Sequence, residues 1–261
     1  MRLALFQLDA AAARSGADGL LGIDRCLARA REAGADLAHL PELALPGYGA
    51  GAQALRAEAE RAAETIARLQ ERVEETRVAL ALGLPVADGP VVRNAAVLLR
   101  PGEAPVVYAK RFLYGDYERG AFSPGTIISP VVAFGDFRVG LLVCFDVEFP
   151  ETVRALAQAG ADLVLVPTAL PAGEGARFIA RSLVPTRAFE NSVFLSYADW
   201  CGRDARFAYQ GLSMVAGPDG AALAQGGEAQ PAMLVADLDP AAFAGPRAAN
   251  NYLGELADST P

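Results

Sequence analysis

A cysteine at the end of an apolar run, followed at once by acidic residues, is a candidate for thiol chemistry. In the stretch GLLVCFDVEFPE (140–151), three apolar residues precede Cys144. A nucleophilic cysteine needs a group that takes its proton, and in thiol hydrolases this group is usually a histidine. The only histidine in the 261 residues is His39, far away in sequence. The alternative base is a carboxylate whose pKa is raised by burial.

The single lysine of the chain, Lys110, is a second candidate. Lysine and arginine together number 23, and all the others are arginine. Compositional bias could have left one lysine by chance. We favour the functional interpretation, in which this position needs a compact ammonium on a flexible stem, because a guanidinium group cannot replace it.

An internal repeat draws attention to Glu42. The segment AGADLAHLPELALPG (33–47) resembles AGADLVLVPTALPAG (159–173), and Glu42 in the first copy stands where Thr168 stands in the second. The repeat indicates two related halves. In α/β sheets, groups just past the carboxyl ends of strands line the ligand crevice. A carboxylate at this place in only one copy is therefore a candidate for chemistry.

Glu42, Lys110 and Cys144 each follow a predicted strand, so their side chains can converge. Glu42 could then take the thiol proton, while Lys110 supplies positive charge for a thiolate and an oxyanion. His39 is the rival base, although on a strand leading into a turn it should point away from Glu42. One histidine with scattered carboxylates is no zinc-type ligand set, so we predict no metal and no cofactor.

Cys144 is favoured over the other two cysteines. The sequence after it predicts a turn and a helix that opens at Pro150, and the positive end of a helix favours a nearby thiolate. A buried structural cysteine is the alternative for any isolated cysteine, and it suits Cys26 and Cys201 better.

Short apolar runs alternate with amphipathic stretches, which predicts an α/β protein of one domain. Strands are predicted at 2–8, 36–40, 78–86, 94–100, 105–110, 137–144, 162–167, 192–198, 212–217 and 232–238. Helices are predicted at 18–34, about 53–77, 150–160 and 175–190, and Pro185 should bend or break the last one. The polar tail from 246 to 261 is a candidate C-terminal extension or partner-contacting arm.

Composition excludes several classes of function. The net charge of −8 argues against nucleic acid as a partner, because phosphate binding needs clustered positive charge. No apolar run approaches the length of about 20 residues that spans a bilayer, so no membrane association is predicted. Three cysteines at unrelated spacings predict no disulfide framework, which favours a cytoplasmic location.

Three separated blocks in the right order resemble the nitrilase (carbon–nitrogen hydrolase) superfamily over nearly the whole chain, 1–261. LPELALPGYG is similar to its glutamate block, YAKRFLYGDYERGAFSPG to its lysine block and GLLVCFDVEFPE to its cysteine block. The resemblance implies a four-layer α-β-β-α sandwich that forms homodimers or larger homo-oligomers. It also implies a catalytic triad of Glu42, Lys110 and Cys144, with Glu118 as a second glutamate that positions the lysine.

The same resemblance implies a hydrolase of non-peptide amide bonds that cleaves a small aliphatic carboxamide through a cysteine thioester, and ω-amino carboxamides are among the expected substrates. The backbone N–H of Phe145 would help to bind the oxyanion. Expected pocket residues are Tyr48, Phe112, Tyr114, Thr168 and Ala169. Many members have histidine where this chain has Phe112, which leaves the subfamily open.

Alternative functions on the same triad are N-carbamoyl amine hydrolysis and nitrile hydrolysis. An alternative of another class is a non-catalytic binding or partner-regulating protein on this fold. Asp116 and Glu148 could attract a cationic amine tail, or they could simply be solvated surface carboxylates.

Overall fold

Two β-sheets lie face to face between layers of helices, in a computed structural model that describes residues 1–14 and 16–259. This is the predicted four-layer α-β-β-α sandwich. The strands are β1 (Arg2–Asp9), β2 (Leu37–His39), β3 (Ala79–Asp88), β4 (Val91–Leu99), β5 (Val106–Ala109), β6 (Val132–Phe134), β7 (Phe137–Leu141), β8 (Leu163–Pro167), β9 (Phe194–Ala198), β10 (Trp200–Cys201), β11 (Met214–Ala216), β12 (Ala222–Gln225) and β13 (Ala232–Asp237).

The helices flank the sheets. They are α1 (Gly16–Glu32), α2 (Ala52–Glu60), α3 (Ala62–Thr76), α4 (Gly115–Ala121), α5 (Pro150–Gln158), α6 (Glu174–Phe178), α7 (Val184–Asn191), α8 (Ala244–Ala249) and α9 (Tyr252–Ser259). Among the described residues, no helix combines the length and apolar character needed to cross a lipid bilayer.

Strand order places β1 to β5 in one sheet and β6 to β9 in the other, and β10 and β13 return to the first sheet. Within the described residues, the first sheet has the order β10-β1-β2-β3-β4-β5, and β13 also pairs with β1. The second sheet has the order β12-β11-β9-β8-β7-β6. β1, β2 and β3 run parallel to one another, as do β7, β8 and β9. The parallel strands therefore direct their carboxyl ends to shared edges, as the sequence analysis expected of a ligand crevice.

Apolar side chains fill three regions. One face of the first sheet packs on α1 and α3 through residues such as Leu27 and Leu69. A larger core joins both sheets to α5 and α7 and includes Leu5, Leu141 and Leu165. A third cluster surrounds the loops that follow β2 and β10. β2 and β8, near the centres of the two sheets, are buried along their whole length, which explains their apolar character.

The repeated segments occupy equivalent positions in the two sheets. β2 lies between β1 and β3, and β8 lies between β7 and β9. The loops after these strands meet, because the backbone N–H of Glu42 donates to the carbonyl oxygen of Thr168 at 3.2 Å. The residues that correspond in the repeat are thus in direct contact where the two halves join.

Some predicted elements differ from the observed ones. The helix predicted over 53–77 is two helices that meet at Arg61. The helix predicted over 175–190 contains a π-helical segment, Ile179–Leu183, between α6 and α7. Pro185 follows that segment in the first turn of α7, where its missing N–H is tolerated. The predicted helix is thus interrupted by a π-helical turn just before Pro185.

The C-terminal tail from 246 contains the end of α8 and the whole of α9, which follows it after two residues. The ring of Tyr252 in α9 lies 5.9 Å from the ring of Phe189 in α7. Residues 260–261 of the predicted extension lie outside the described part of the chain.

Gly83 in β3 allows the loop that carries Glu42 to pack directly on the sheet. A Cβ at this position would lie 2.5 Å from the Cα of Glu42 and 2.4 Å from the N of Leu43. Two backbone bonds fix this approach: Gly83 N–H donates to Pro41 O at 3.0 Å, and Ala44 N–H donates to Gly83 O at 2.8 Å. Only glycine therefore fits, and it fixes the height of Glu42 above the sheet.

We predict that Gly83→Ala lowers the free energy of unfolding by about 1–3 kcal/mol, because the added methyl must displace backbone. This corresponds to a melting temperature roughly 2–10 °C lower for a chain of this size. Gly22→Ala is the matched control, since an added Cβ there meets only the guanidinium of Arg25 at 3.8 Å. Calorimetry that finds equal melting temperatures for the two variants would contradict the close approach.

Candidate active site

Three strand ends bring the candidate residues together. Glu42 follows β2, Lys110 follows β5 and Cys144 follows β7, after Leu142 and Val143. β5 has the same direction as β2, because β4 runs antiparallel to both β3 and β5. Glu42 and Lys110 thus leave the same edge of the first sheet, and Cys144 approaches from the second sheet.

The ammonium of Lys110 lies between two carboxylates. Its Nζ is 2.8 Å from Glu42 Oε1 and 2.7 Å from Glu118 Oε1. All three side chains are fully buried. The arrangement contains two negative charges for one positive charge, so further donors are needed to stabilise it.

Glu42 is held on one side and left free on the other. Asn94 Nδ2–H donates to its Oε1 at 2.6 Å, and Trp200 Nε1–H donates to its backbone oxygen at 2.8 Å. Its Oε2 is buried and has no hydrogen-bond partner among the described residues. One carboxylate oxygen is thus anchored, and the other is available to take a proton.

Asn94 and Trp200 were not singled out by the sequence analysis. The one available signal for Asn94 was a polar residue within the apolar strand β4. Trp200 is the only tryptophan of the chain, but its sequence gives no sign that its ring N–H reaches the glutamate loop.

Glu118 is fixed by α4 and by a tyrosine. Its Oε1 accepts a hydrogen bond from Tyr48 OH at 2.9 Å, and its Oε2 accepts one from the Tyr114 N–H at 2.9 Å. Tyr48 is buried, and its ring contacts those of Tyr117 and Phe207. Tyr48, expected at the pocket wall, therefore directly supports Glu118.

Cys144 occupies a strained turn. β7 ends at Leu141, earlier than predicted, and Cys144 opens a 3-10 turn, Cys144–Glu148, with a φ of 44°. This left-handed conformation is uncommon for a residue with a side chain and persists only where its surroundings hold it. The Phe145 N–H lies in the first turn, where N–H groups lack intrahelical acceptors.

Arg187 holds the far side of this turn. Its Nε–H donates to Val147 O at 3.1 Å and its Nη2–H to Glu148 O at 2.9 Å. Its Nη1 forms an ion pair with Glu190 at 3.0 Å. Arg187 on α7 thereby fixes the chain after Cys144.

The thiol of Cys144 is held in its neutral form. Burial raises its pKa well above the ordinary value, and the Glu42 carboxylate raises it further, whereas Lys110 and the backbone N–H of Ala169 act in the opposite direction. We expected the start of the following helix to stabilise a thiolate. Burial outweighs this effect, because α5 begins only at Pro150, six residues after Cys144. The thiol thus depends on a base for its activation.

The charged neighbours of the thiol have shifted pKa values of their own. Burial raises the pKa of Glu42 to about 7, although Lys110 lowers it. Burial acts to lower the pKa of Lys110, but the carboxylates of Glu42 and Glu118 outweigh it and raise that pKa well above its usual value. Near neutral pH, Lys110 is charged and Glu42 can exchange a proton, which suits a general base.

His39, the rival base, lies between the two sheets. Its Nδ1 is 2.8 Å from the hydroxyl oxygen of Ser196 in β9. It is fully buried, and burial lowers its pKa to about 3, so the ring is neutral. His39 thus bonds to the second sheet and has no contact with the thiol.

Aromatic rings form one side of the candidate site. Phe112 stacks on Phe149 with centroids 3.9 Å apart, and Phe145 lies edge-on to Phe149 at 5.0 Å. Tyr114, 45% exposed, lies edge-on to Phe145 at 5.2 Å. These rings connect the lysine loop to the cysteine turn.

Thr168 and Ala169 are buried in the loop after β8, and the backbone N–H of Ala169 bonds to Cys144. The hydroxyl of Thr168 donates to Val166 O at 3.0 Å. Among the described residues, no group of three or more His, Cys, Asp or Glu side chains is placed to hold a metal ion.

Comparisons with known proteins identify the family of this chain. The family profile described as carbon-nitrogen hydrolase matches residues 2–245. The chain belongs to the carbon–nitrogen hydrolase family. It is an amidase-like hydrolase of the nitrilase superfamily, an enzyme that acts on amide bonds.

Individual relatives are amidases. An (R)-stereoselective amidase of Pseudomonas sp. is 35% identical over 193 residues, 74% of this chain and 69% of that protein. An amidase variant from Nesterenkonia sp. AN1, bound to butyramide, is 38% identical, with a TM-score of 0.82 over 97% of this chain and 96% of that chain. A second variant shows acrylamide added at the active-site cysteine, with 38% identity and a TM-score of 0.84 over 98% and 99% of the two chains.

We predict that Glu42→Gln becomes more stable relative to the unchanged protein as the pH rises from about 5 to about 8. The pKa of Glu42 in the folded state, about 7, exceeds its ordinary value of 4.5, so folding favours the protonated carboxyl. The stability that protonated Glu42 contributes to the unchanged protein is complete below pH 4.5 and is lost as the pH rises through about 7. Glutamine does not titrate, so the difference should change by on the order of 2–3 kcal/mol in urea unfolding.

Asn94→Ala is the companion variant. It retains Glu42 but removes a hydrogen bond that lowers the pKa of that carboxyl. The pH range over which stability is lost should therefore extend upwards. Stability curves of Glu42→Gln and the unchanged protein that run parallel with pH would exclude a raised pKa at Glu42.

Proposed function

We propose that this carbon–nitrogen hydrolase cleaves a small aliphatic carboxamide to the acid and ammonia, through a thioester on Cys144. The observation that carries the proposal is the anchoring of Glu42: Lys110 and Asn94 bind its Oε1, whereas its Oε2 stays free among the described residues. Such a carboxylate can take a proton and return it. A binding protein has no evident use for this arrangement.

In the first step, Glu42 takes the proton of the Cys144 thiol as the sulfur attacks the amide carbon. The thiol needs this base because its own pKa is raised by burial. The carbonyl oxygen becomes an oxyanion, which Lys110 and the Phe145 N–H stabilise. Donors that are fixed in advance lower the barrier, because they need no reorganisation as the charge develops.

In the second step, the tetrahedral intermediate collapses to a thioester, and Glu42 gives its proton to the departing ammonia. A water molecule then replaces ammonia, Glu42 takes a proton from it, and the hydroxide attacks the thioester carbon. Release of the acid returns the proton to the sulfur. Glu118 keeps Lys110 in place throughout, which is consistent with its hydrogen bonds to Tyr48 and Tyr114.

Small amides suit the described surroundings. Phe145, against which Tyr114 packs, and the buried loop of Thr168 and Ala169 border Cys144, which is only 5% exposed. The relatives solved with butyramide and with acrylamide also support a short aliphatic substrate.

Three buried free cysteines are compatible with a reducing cytoplasm.

We predict ammonia release from short aliphatic amides such as butyramide, with the matching acid as the second product. Cys144→Ala should abolish it, and Glu42→Gln should lower kcat roughly 100- to 10,000-fold, the usual contribution of a general base. Melting temperatures establish that both variants are folded. Release of ammonia by Cys144→Ala at the original rate would refute the thioester route.

The same assay separates the alternatives. N-carbamoyl amines and the nitriles that correspond to each amide are included as substrates. If one of these is turned over faster than every amide, the base and nucleophile remain as proposed, but the substrate class is wrong. If none of them is turned over by folded protein, the non-catalytic alternative on this fold is favoured.

We further propose that the substrate has an amino group at its far end and that Glu148 attracts it. Glu148 is half-buried at the end of the cysteine turn, and burial raises its pKa, although Lys110 and Arg187 lower it. Arg187 binds the backbone oxygen of Glu148 and pairs with Glu190 instead. The Glu148 carboxylate is therefore available to a cation.

Asp116, the other candidate for this role, has a fully exposed side chain 3.9 Å from Arg119. Its charge is screened by water and is a weak source of selectivity.

We predict that Glu148→Gln lowers kcat/KM for 5-aminopentanamide about tenfold, or about 1.4 kcal/mol, while kcat/KM for neutral pentanamide changes little. The change removes one charge and keeps the size of the side chain. Asp116→Asn is the matched control and should leave the ratio between the two amides unaltered. An unchanged ratio in Glu148→Gln would contradict recognition by this carboxylate.

A further inference from the structure

A further buried carboxylate, Asp146, lies two residues after the candidate nucleophile and accepts four hydrogen bonds. Its Oδ2 accepts from the Val143 N–H at 3.1 Å and from Tyr108 OH at 2.9 Å. Its Oδ1 accepts from the N–H groups of Arg111 at 3.2 Å and Phe112 at 3.0 Å. A buried carboxylate is costly unless such donors satisfy it, and here both oxygens are satisfied.

The donors come from both sides of the candidate site. Val143 immediately precedes Cys144, at the strand exit of the second sheet. Tyr108 belongs to β5 of the first sheet, and Arg111 and Phe112 immediately follow Lys110. The Asp146 carboxylate therefore connects the backbone just before Cys144 to the residues that precede and follow Lys110.

Asp146 also holds the turn itself. Its own N–H donates to Val143 O at 3.0 Å, and its backbone oxygen accepts from Thr152 Oγ1 at 2.7 Å. Cys144, with its positive φ, and the Phe145 N–H lie between the two bonded residues, Val143 and Asp146. A strained conformation of this kind requires neighbours that fix it from several directions.

We propose that Asp146 is a positioning residue that sets the separation of Cys144 and Lys110 and the direction of the Phe145 N–H. Its carboxylate bonds to none of these three groups directly, so it acts through the backbone on either side of them. A misplacement of about 1 Å in such a constellation can cost about 100-fold in rate, even when binding is retained.

The test is Asp146→Asn. Asparagine has the same size but turns one oxygen into an amide donor, which faces the N–H groups on one side. We expect kcat to fall about 100-fold and KM to change less than about threefold, because the reacting atoms are misplaced while the substrate pocket remains. Glu58→Gln is the matched control, a buried carboxylate bonded to Arg61 and Thr65, and its kcat should not change.

A second measurement does not depend on the proposed substrate. Iodoacetamide alkylation of Cys144, followed by peptide mass spectrometry, should be about tenfold slower in Asp146→Asn than in Glu58→Gln, since the base and ammonium are displaced from the sulfur. If no amide is turned over by the unchanged protein, the proposed function fails, but this measurement still decides the role of Asp146.

Tyr108→Phe covers the case in which Asp146→Asn does not fold. It removes one of the four donors and leaves the carboxylate in place. A folded Tyr108→Phe protein with a several-fold slower alkylation supports the proposal. Folded variants at Asp146 or Tyr108 that match Glu58→Gln in alkylation rate, even with lowered melting temperatures, would show a role in stability only and overturn it.

Discussion

The ammonium of Lys110 between two buried carboxylates is the interaction on which the rest of the structure depends. Isolated in a dry interior, each of these charges would cost several kcal/mol. Together at 2.8 Å and 2.7 Å they neutralise most of that cost, and Asn94 and Tyr48 supply donors for the carboxylate oxygens that carry the excess negative charge. Removal of Lys110 would leave two buried carboxylates without a counter-charge, whereas removal of either carboxylate would leave the ammonium paired with the other one.

The backbone explains how such a group can be assembled. Gly83 lets the glutamate loop lie against β3, and Trp200 binds the same loop from the side. The lysine extends β5, and its carbonyl oxygen accepts from the Gly125 N–H at 2.7 Å. Each charged side chain is thus carried by a segment whose own position is fixed by backbone contacts. A loop free to move would lose the short distances that compensate for burial.

The same burial that makes the charges costly makes them useful. It keeps the thiol of Cys144 neutral, and it raises the pKa of Glu42 to about 7, so that this carboxylate can exchange a proton near neutral pH. Lys110 remains charged because its two carboxylates outweigh the effect of burial. His39 cannot serve, since its bond to Ser196 and its low pKa make it part of the packing between the sheets.

The sequence by itself determined the local features of this protein. Strand periodicity and turn chemistry act over a few residues, and they predicted an α/β protein with Glu42, Lys110 and Cys144 each following a strand. The sandwich architecture and the role of Glu118 were expected from the resemblance of three sequence blocks to the nitrilase superfamily. The sequence predicted a bend or break at Pro185 but not the π-helical segment before it, because a missing N–H does not specify how the helix adapts.

Only the tertiary structure decided which side chains satisfy the buried charges. Asn94 lies 52 residues from Glu42, Tyr48 lies 70 from Glu118, and Tyr108 lies 38 from Asp146. No local pattern encodes these pairs, because they form only when strands from different parts of the chain pack side by side. Local motifs thus identify the residue types of the candidate site. Their protonation states and the distances between them depend on tertiary packing.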